Sequence, residues 1–306
     1  MTSNKKKLSP LGIRIPRNYI VKHDIGMHIV RMLLRLVSDV NPHRPQGCLI
    51  ISKPNNGKTF LLKLAMKMIA EAASKGTGSE PEHQGASETG GGPKTTCQVD
   101  EKPVLYMRAP VKANHKNLLR DMGAKLGIRF ADRCTIGSMQ SMVRRGLIMT
   151  KTKAVFVDEL QHLVSGGGVG TRVILDDIKV MSDDLGIPFI MAGTQRALQV
   201  ISADDQYLSR FRPFDLPVWK YDNDFLGLVR DFELRMKVAK GTFLSASASR
   251  EVFIRSRGII GGIVEIMNES LRLAEEEGAQ RISLGHIRRC GYHEMVNNQQ
   301  DNRRKP

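Results

Sequence analysis

An apolar run at residues 48–51 passes straight into Ser52-Lys53-Pro54-Asn55-Asn56-Gly57-Lys58-Thr59. Beyond it, Leu61, Leu64, Ala65, Met68 and Ile69 recur at helical spacing. A strand, a tight loop and a helix in that order aim several backbone N–H groups at the helix N-terminus, where they hold phosphate. Gly57 permits close backbone approach, Lys58 supplies a cation for the β- and γ-phosphates, and Thr59 supplies a hydroxyl for Mg²⁺. Pro54, Asn55 and Asn56 form the body of this loop, and Ser52 stands where the full phosphate-loop pattern has its first glycine. A Gly-Lys-Thr triplet recurs by chance, so the surrounding pattern has to carry the reading.

That pattern alternates. Residues 104–107, 154–157 and 189–192 read as further buried strands, and 214–219, interrupted by Pro217, as an edge strand. Leu118, Leu119, Met122 and Leu126 mark a helix between two of them. The alternation predicts an α/β fold with a doubly wound, five-stranded, mainly parallel sheet. After Trp219 the strands stop, and residues 225–238, 247–255, 263–276 and 283–296 read as helices. The expected organisation is a basic N-terminal extension and helix at 1–46, a phosphate-binding domain at 47–219, a helical lid at 220–296 and a polar tail at 297–306. Residues 74–102 are rich in Gly, Ser, Thr and Glu and poor in apolar side chains, and read as a disordered insertion.

The strand at 154–157 ends in Asp158-Glu159. A buried strand that delivers two carboxylates at its end provides one to hold Mg²⁺ through water, Asp158, and one to polarise the attacking water, Glu159. The strand at 189–192 ends in Gly193-Thr194, which places a hydroxyl where a γ-phosphate can be sensed. In Ser209-Arg210-Phe211-Arg212, an arginine could reach into a neighbouring subunit's site to offset phosphoryl charge, with Arg210 the first choice and Arg212 the second. No Asn-Lys-x-Asp guanine motif lies downstream, so ATP is the expected nucleotide.

The chain carries 47 Lys and Arg against 31 Asp and Glu, a formal +16. Residues 1–70 hold 13 of those cations against only Asp24 and Asp39, and such an excess suits a polyanion. Cys48, Cys97, Cys134 and Cys290 are scattered, with no C-x-x-C pair, as in a reducing compartment. No stretch approaches the length of an apolar membrane span, and the expectation is a cytoplasmic protein.

Pro54-Asn55-Asn56-Gly57-Lys58-Thr59, Val157-Asp158-Glu159-Leu160, Ala192-Gly193-Thr194 and above all Asp204-Asp205-Gln206-Tyr207-Leu208-Ser209-Arg210-Phe211-Arg212-Pro213-Phe214, with Leu216-Pro217-Val218-Trp219, resemble the TniB/TnsC family of transposition ATPases, TniB most closely. The resemblance spans roughly residues 14–288. It implies an AAA+ fold with a five-stranded parallel sheet and a helical lid. It also implies assembly as ATP-bound oligomers or filaments around duplex DNA, with target choice passed to a DDE transposase and communication with a TniQ-type targeting protein. In such proteins basic and polar residues after the second strand touch the DNA backbone, and here Lys112 and Lys116 lie in that region, with Arg133 and Thr135 as further candidates. The lid segment Gly258-Ile259-Ile260-Gly261 has glycine where many AAA+ proteins place a sensor arginine, and Arg255 and Arg257 stand nearby. A helicase-loader or replication-initiator-like ATPase is the alternative reading, and a non-hydrolysing, nucleotide-gated DNA adaptor a further one.

Overall fold

The computed structural model describes residues 14–15, 24–41, 44–76, 100–111, 114–164, 168–236 and 244–292. They fall into two compact units, one drawn from His23–Ser52 and Lys58–Leu216, the other from Met1–Lys22, Lys53–Gly57 and Pro217–Pro306.

In chain order the first unit contains α1 (Asp24–Ser38), β1 (Gly47–Ile51), α2 (Lys58–Gly76), β2 (Val104–Arg108), α3 (His115–Leu126) and α4 (Ile136–Met149). It continues with β3 (Ala154–Asp158), α5 (Gln161–Val164), α6 (Gly168–Leu185), β4 (Phe189–Gly193), α7 (Gln195–Ile201), α8 (Asp205–Arg210) and β5 (Phe211–Asp215). The five strands form one parallel sheet in the order β2-β3-β4-β1-β5.

Successive residues of a strand point to opposite faces, and here both faces are buried. Leu49, Ile51, Met107, Val155, Val157 and Met191 pack on one side with residues of α3, α4 and α6 such as Leu119, Val143 and Ile178. Cys48, Ile50, Phe156, Ile190 and Ala192 pack on the other with Val30 and Leu33 of α1 and Leu62 and Ala65 of α2. Continuous apolar runs follow from this double burial. β1 opens at Gly47, where a Cβ would lie 2.5 Å from the Phe189 carbonyl oxygen, so only glycine lets β1 approach β4 there.

The fifth strand departs from the sequence expectation. It occupies Phe211–Asp215, three residues earlier than the 214–219 reading, with Pro213 opposite Leu49. Its place at the edge agrees with that reading, and an edge strand tolerates the amide that proline lacks. Leu216 N donates the last bond to Ile51 O at 2.8 Å before the chain leaves at Pro217. Of the segment read as a disordered insertion, residues 77–99 lie outside the described residues, and the described residues on either side are ordered. α2 continues to Gly76, and Lys102 is tied by its N–H to Thr150 O at 2.8 Å and by its Nζ to Lys125 O at 2.9 Å.

The second unit contains α9 (Asn223–Met236), α10 (Ala246–Ser256), α11 (Ile260–Glu276) and α12 (Leu284–Arg289). Phe225, Val229 and Phe232 of α9, Val252 of α10, Ile263, Ile266, Met267 and Leu271 of α11 and Ile287 of α12 form its core. Ile15 joins that core, and Asn268 brackets its backbone, accepting from Ile15 N at 2.7 Å and donating to Ile15 O at 2.9 Å. α12 runs over Leu284–Arg289 and breaks at Cys290, whose backbone is extended, and the Arg255 guanidinium takes the carbonyls of Arg288 at 2.7 Å and Cys290 at 2.6 Å; of the 283–296 reading, residues 293–296 lie outside the described residues. Among the described residues no helix is long and apolar enough to cross a membrane.

Candidate nucleotide-binding and catalytic site

The strand ends of the sheet bring together the residues that the sequence singles out. At the end of β1, Ser52 N continues the ladder to Gly193 O at 3.2 Å, and Ser52 O accepts from Lys58 Nζ at 3.1 Å. Lys58 is the first residue of α2 and is only 5% exposed. Burial pulls its pKa below the ordinary lysine value, while the charges of Glu159 and Asp158 oppose that shift.

Asp158 is fully buried at the end of β3 and accepts from three directions. Thr59 Oγ1 donates to its Oδ2 at 2.6 Å, Tyr106 OH to the same oxygen at 3.2 Å, and Glu159 N to its Oδ1 at 2.9 Å. Tyr106 comes from β2, whose register sets Arg108 opposite Asp158. Burial raises the Tyr106 pKa against the opposing Arg108 guanidinium, which keeps the phenol a donor. A hydroxyl and a carboxylate oxygen in contact are hard donors of the kind that would suit Mg²⁺. Among the described residues no cluster of three or more His, Cys, Asp or Glu could hold a metal on protein side chains alone.

Glu159 follows with φ 58°, a left-handed conformation that costs a non-glycine residue on the order of 1 kcal/mol or more and recurs at functional sites. The bend is held by Leu160 N, which donates to Ala192 O at 2.8 Å. The half-buried Glu159 carboxylate accepts from Gln161 Nε2, and Gln161 Oε1 accepts from Thr194 N at 3.3 Å. Thr194 is the N-cap of α7, yet its hydroxyl makes no capping bond. Tyr106 and Gln161 are the residues that the sequence reading missed. Their only signal was position, one on the adjacent strand and the other two residues past Glu159.

The loop residues 53–57 are grouped with the helical unit and are shaped by it. Asn55 and Gly57 have φ of 59° and 86°. The buried Asn56 donates from Nδ2 to Pro217 O at 2.9 Å and accepts at Oδ1 from Ile260 N at 3.5 Å, while Asn55 O accepts from Gly261 N at 3.1 Å. These bonds stand in for a cap on α11, whose N-cap residue Ile259 has no side chain able to provide one. A Cβ on Gly261 would lie 2.2 Å from the Asn55 side chain, so glycine is needed where an arginine sensor was sought. Arg255, tied to the end of α12, is committed elsewhere, and Arg257 is exposed at the C-cap of α10.

The remaining candidates lie apart from the carboxylates. Arg210 Nη2 pairs with Asp183 Oδ2 at 2.7 Å, leaving Arg210 Nη1 and Asp183 Oδ1 buried without partners. Arg212 is exposed on β5, its guanidinium 5.7 Å from the Phe214 ring centre. Lys116 sits half-buried in the first turn of α3 and Arg133 is exposed before α4. Thr135 is the N-cap of α4, its hydroxyl accepting from Ser138 N at 3.2 Å, so that side chain already serves its own helix. Lys112 lies outside the described residues.

Solved structures share this architecture. The ORC2 protein of Aeropyrum pernix in its ADPNP-ADP complexes has a TM-score of 0.62 at 17% identity, over 90% of this chain and 68% of that one. The ORC1 protein of the same organism in complex with DNA has 0.61 at 14% identity, over 91% and 66%. AMPPCP-bound DnaA from Aquifex aeolicus has 0.51 at 15%, over 92% and 68%. The chain thus spans about two thirds of each, and at these identities the likeness is one of fold: the fold is that of the AAA+ ATPases. Within that class, the family model described as Bacterial TniB protein matches residues 87–221, which bears out the resemblance read from the sequence. No curated protein matches the chain.

Proposed function

We propose that this protein is an ATP-dependent regulator of transposition that binds duplex DNA with little sequence preference, assembles on it as an oligomer or filament, and recruits or activates a DDE transposase. The contact of Thr59 with Asp158, beside Lys58 and Glu159, carries the enzymatic half of this reading. The TniB match carries the other half, and it favours transposition over the initiator-like reading, which rests on fold alone.

Lys58 at the start of α2 faces the β- and γ-phosphates, and Glu159 polarises the water that attacks in line. Thr59 and Asp158 would hold Mg²⁺, which when bound offsets phosphate charge. Thr194 presents its uncommitted hydroxyl toward the γ-phosphate. Arg210, after leaving Asp183, is the first candidate to reach a neighbouring subunit's phosphate, with Arg212 second. Lys112, Lys116 and Arg133 supply cations to the DNA backbone, and Thr135 adds at most its backbone. A TniQ-type partner and a cytoplasmic setting complete the reading.

The test is a salt titration of binding to unrelated duplexes with and without ATP. Binding should require ATP, and log affinity should fall linearly with log salt by about 0.9 per phosphate contact. Replacing Lys112 and Lys116 by alanine should make that slope shallower while ATP affinity is kept. Tight binding without nucleotide, or an unchanged slope in the double variant, would contradict the proposal.

A further inference from the structure

Two hydrogen bonds join Glu159 to the turn that carries Thr194, and both run through one side chain. Gln161 Nε2 donates to Glu159 Oε2, and Thr194 N donates to Gln161 Oε1 at 3.3 Å. A carboxylate only accepts and an N–H only donates, so these two partners fix which way the amide faces. Gly193 lets α7 pack close beside the amide: a Cβ there would stand only 2.8 Å from the Ala197 Cβ, and at ordinary contact, 3.4 Å, from Gln161 Oε1. The frame around the amide is rigid, because Leu160 N is anchored on Ala192 O at 2.8 Å and Glu159 N on Asp158 Oδ1 at 2.9 Å.

We infer that Gln161 is a positioning residue for hydrolysis, aiming the Glu159 carboxylate and coupling that aim to the β4–α7 turn at Thr194. The inference rests on the ATPase reading above. Left to itself, a half-buried glutamate samples several rotamers, and a displacement of about 1 Å of a catalytic group can lower a rate by roughly 100-fold. The amide removes that freedom on one side. On the other, it makes the orientation depend on the backbone of Thr194, whose hydroxyl is uncommitted by its own helix. A ligand that draws on Thr194 therefore changes how Glu159 is held, with no direct contact between the two residues.

The experiment measures ATP affinity and hydrolysis of the full chain with Mg²⁺ and duplex DNA. Gln161→Ala should bind ATP within about 2-fold of wild type while kcat falls roughly 10- to 100-fold, since only orientation is lost. Gln161→Glu keeps the acceptor for Thr194 N but sets a second carboxylate against Glu159. That repulsion turns the Glu159 carboxylate from its aim, so kcat should fall in Gln161→Glu at least as far as in Gln161→Ala while ATP affinity stays within about 2-fold of wild type. A spacer role would leave kcat near wild type, because the two side chains are nearly the same size. Thr194→Ala combined with Gln161→Ala should lose less than the product of the two single effects. An unchanged kcat in Gln161→Ala overturns the inference. A wild-type kcat in Gln161→Glu does the same, and because that variant is nearly isosteric it answers even where the alanine variant fails to fold. If Glu159→Gln hydrolyses ATP as fast as wild type, the ATPase reading itself falls and takes this one with it. Loss in Glu159→Gln with no loss in Gln161→Ala removes only the role of Gln161.

Discussion

The strand ends of the sheet and the first turn of helix α11 both gather polar groups, but the two regions use them differently. At the strand ends Asp158 is reached from other elements by side chains, Thr59 and Tyr106, besides the amide of its neighbour Glu159, and Lys58 stays buried with two carboxylates nearby. At α11 the partners of Asn55 and Asn56 are backbone groups, the amides of Ile260 and Gly261 and the carbonyl of Pro217. The first region buries charge, at a cost in stability, and in the proposed function that charge serves a ligand. The second satisfies a helix end that has no cap of its own, and its polar groups contribute to stability. Substitutions should therefore separate binding from folding according to region.

The largest separation is expected at Lys58. Lys58→Ala removes the cation that the proposed function sets against the phosphates, and a charge-assisted contact of about 3 kcal/mol corresponds to roughly 100-fold weaker ATP binding. The same change relieves a buried ammonium, so the melting temperature without nucleotide should hold or rise. Calorimetric titration with ATP and a thermal melt of the free protein check both halves. Unchanged affinity, or a large fall in melting temperature, would break the contrast between the regions.

Asn56 should behave in the opposite sense. Asn56→Ala removes the bond to Pro217 O and the acceptor for Ile260 N, and losing such a cap costs about 1–2 kcal/mol. Asn56→Asp retains the acceptor and loses the donor, which should give a smaller loss. Urea unfolding of the three proteins orders them, and equal midpoints would show that α11 does not depend on the loop.

The strand-end region was legible in the sequence for a physical reason. Buried parallel strands are written as short apolar runs, and the residues just beyond them, Lys58, Thr59, Asp158, Glu159 and Thr194, fall where strand ends converge. What was not legible depends on distance between elements. Tyr106 reaches Asp158 only because β2 lies beside β3, and β5 takes Phe211–Asp215 because pairing with β1, rather than the proline at 217, decides its span. Arg255 could be weighed as a nucleotide sensor until its bonds to the carbonyls of Arg288 and Cys290 were known. Gly261 looked like a missing arginine, and the close approach of Asn55 gives the reason for the glycine.

The smallest effect sharpens the comparison from within the helical unit. Glu233 on α9 is 7% exposed. Its Oε1 accepts from Leu244 N at 2.7 Å, but its Oε2 is buried without a partner. Burial pushes its pKa up to about 7, against the opposing Leu244 N–H and the Arg230 charge. The folded protein thus holds this proton at pH values where the unfolded chain, with an ordinary carboxyl near 4.5, has released it. Between about pH 4.5 and 7 the native state binds more protons, so this group's contribution to stability falls as pH rises and levels off above 7. Glu233→Gln keeps the acceptor for Leu244 N and never ionises. The variant should match wild type near pH 5 and exceed it by about 1–2 kcal/mol at pH 8, with ATP hydrolysis unaltered. Chemical unfolding at the two pH values measures the difference. A gap that is the same at both would mean that packing rather than ionisation sets the behaviour of Glu233, and a loss of hydrolysis would place this carboxylate in the chemistry that the comparison assigns to the strand ends alone.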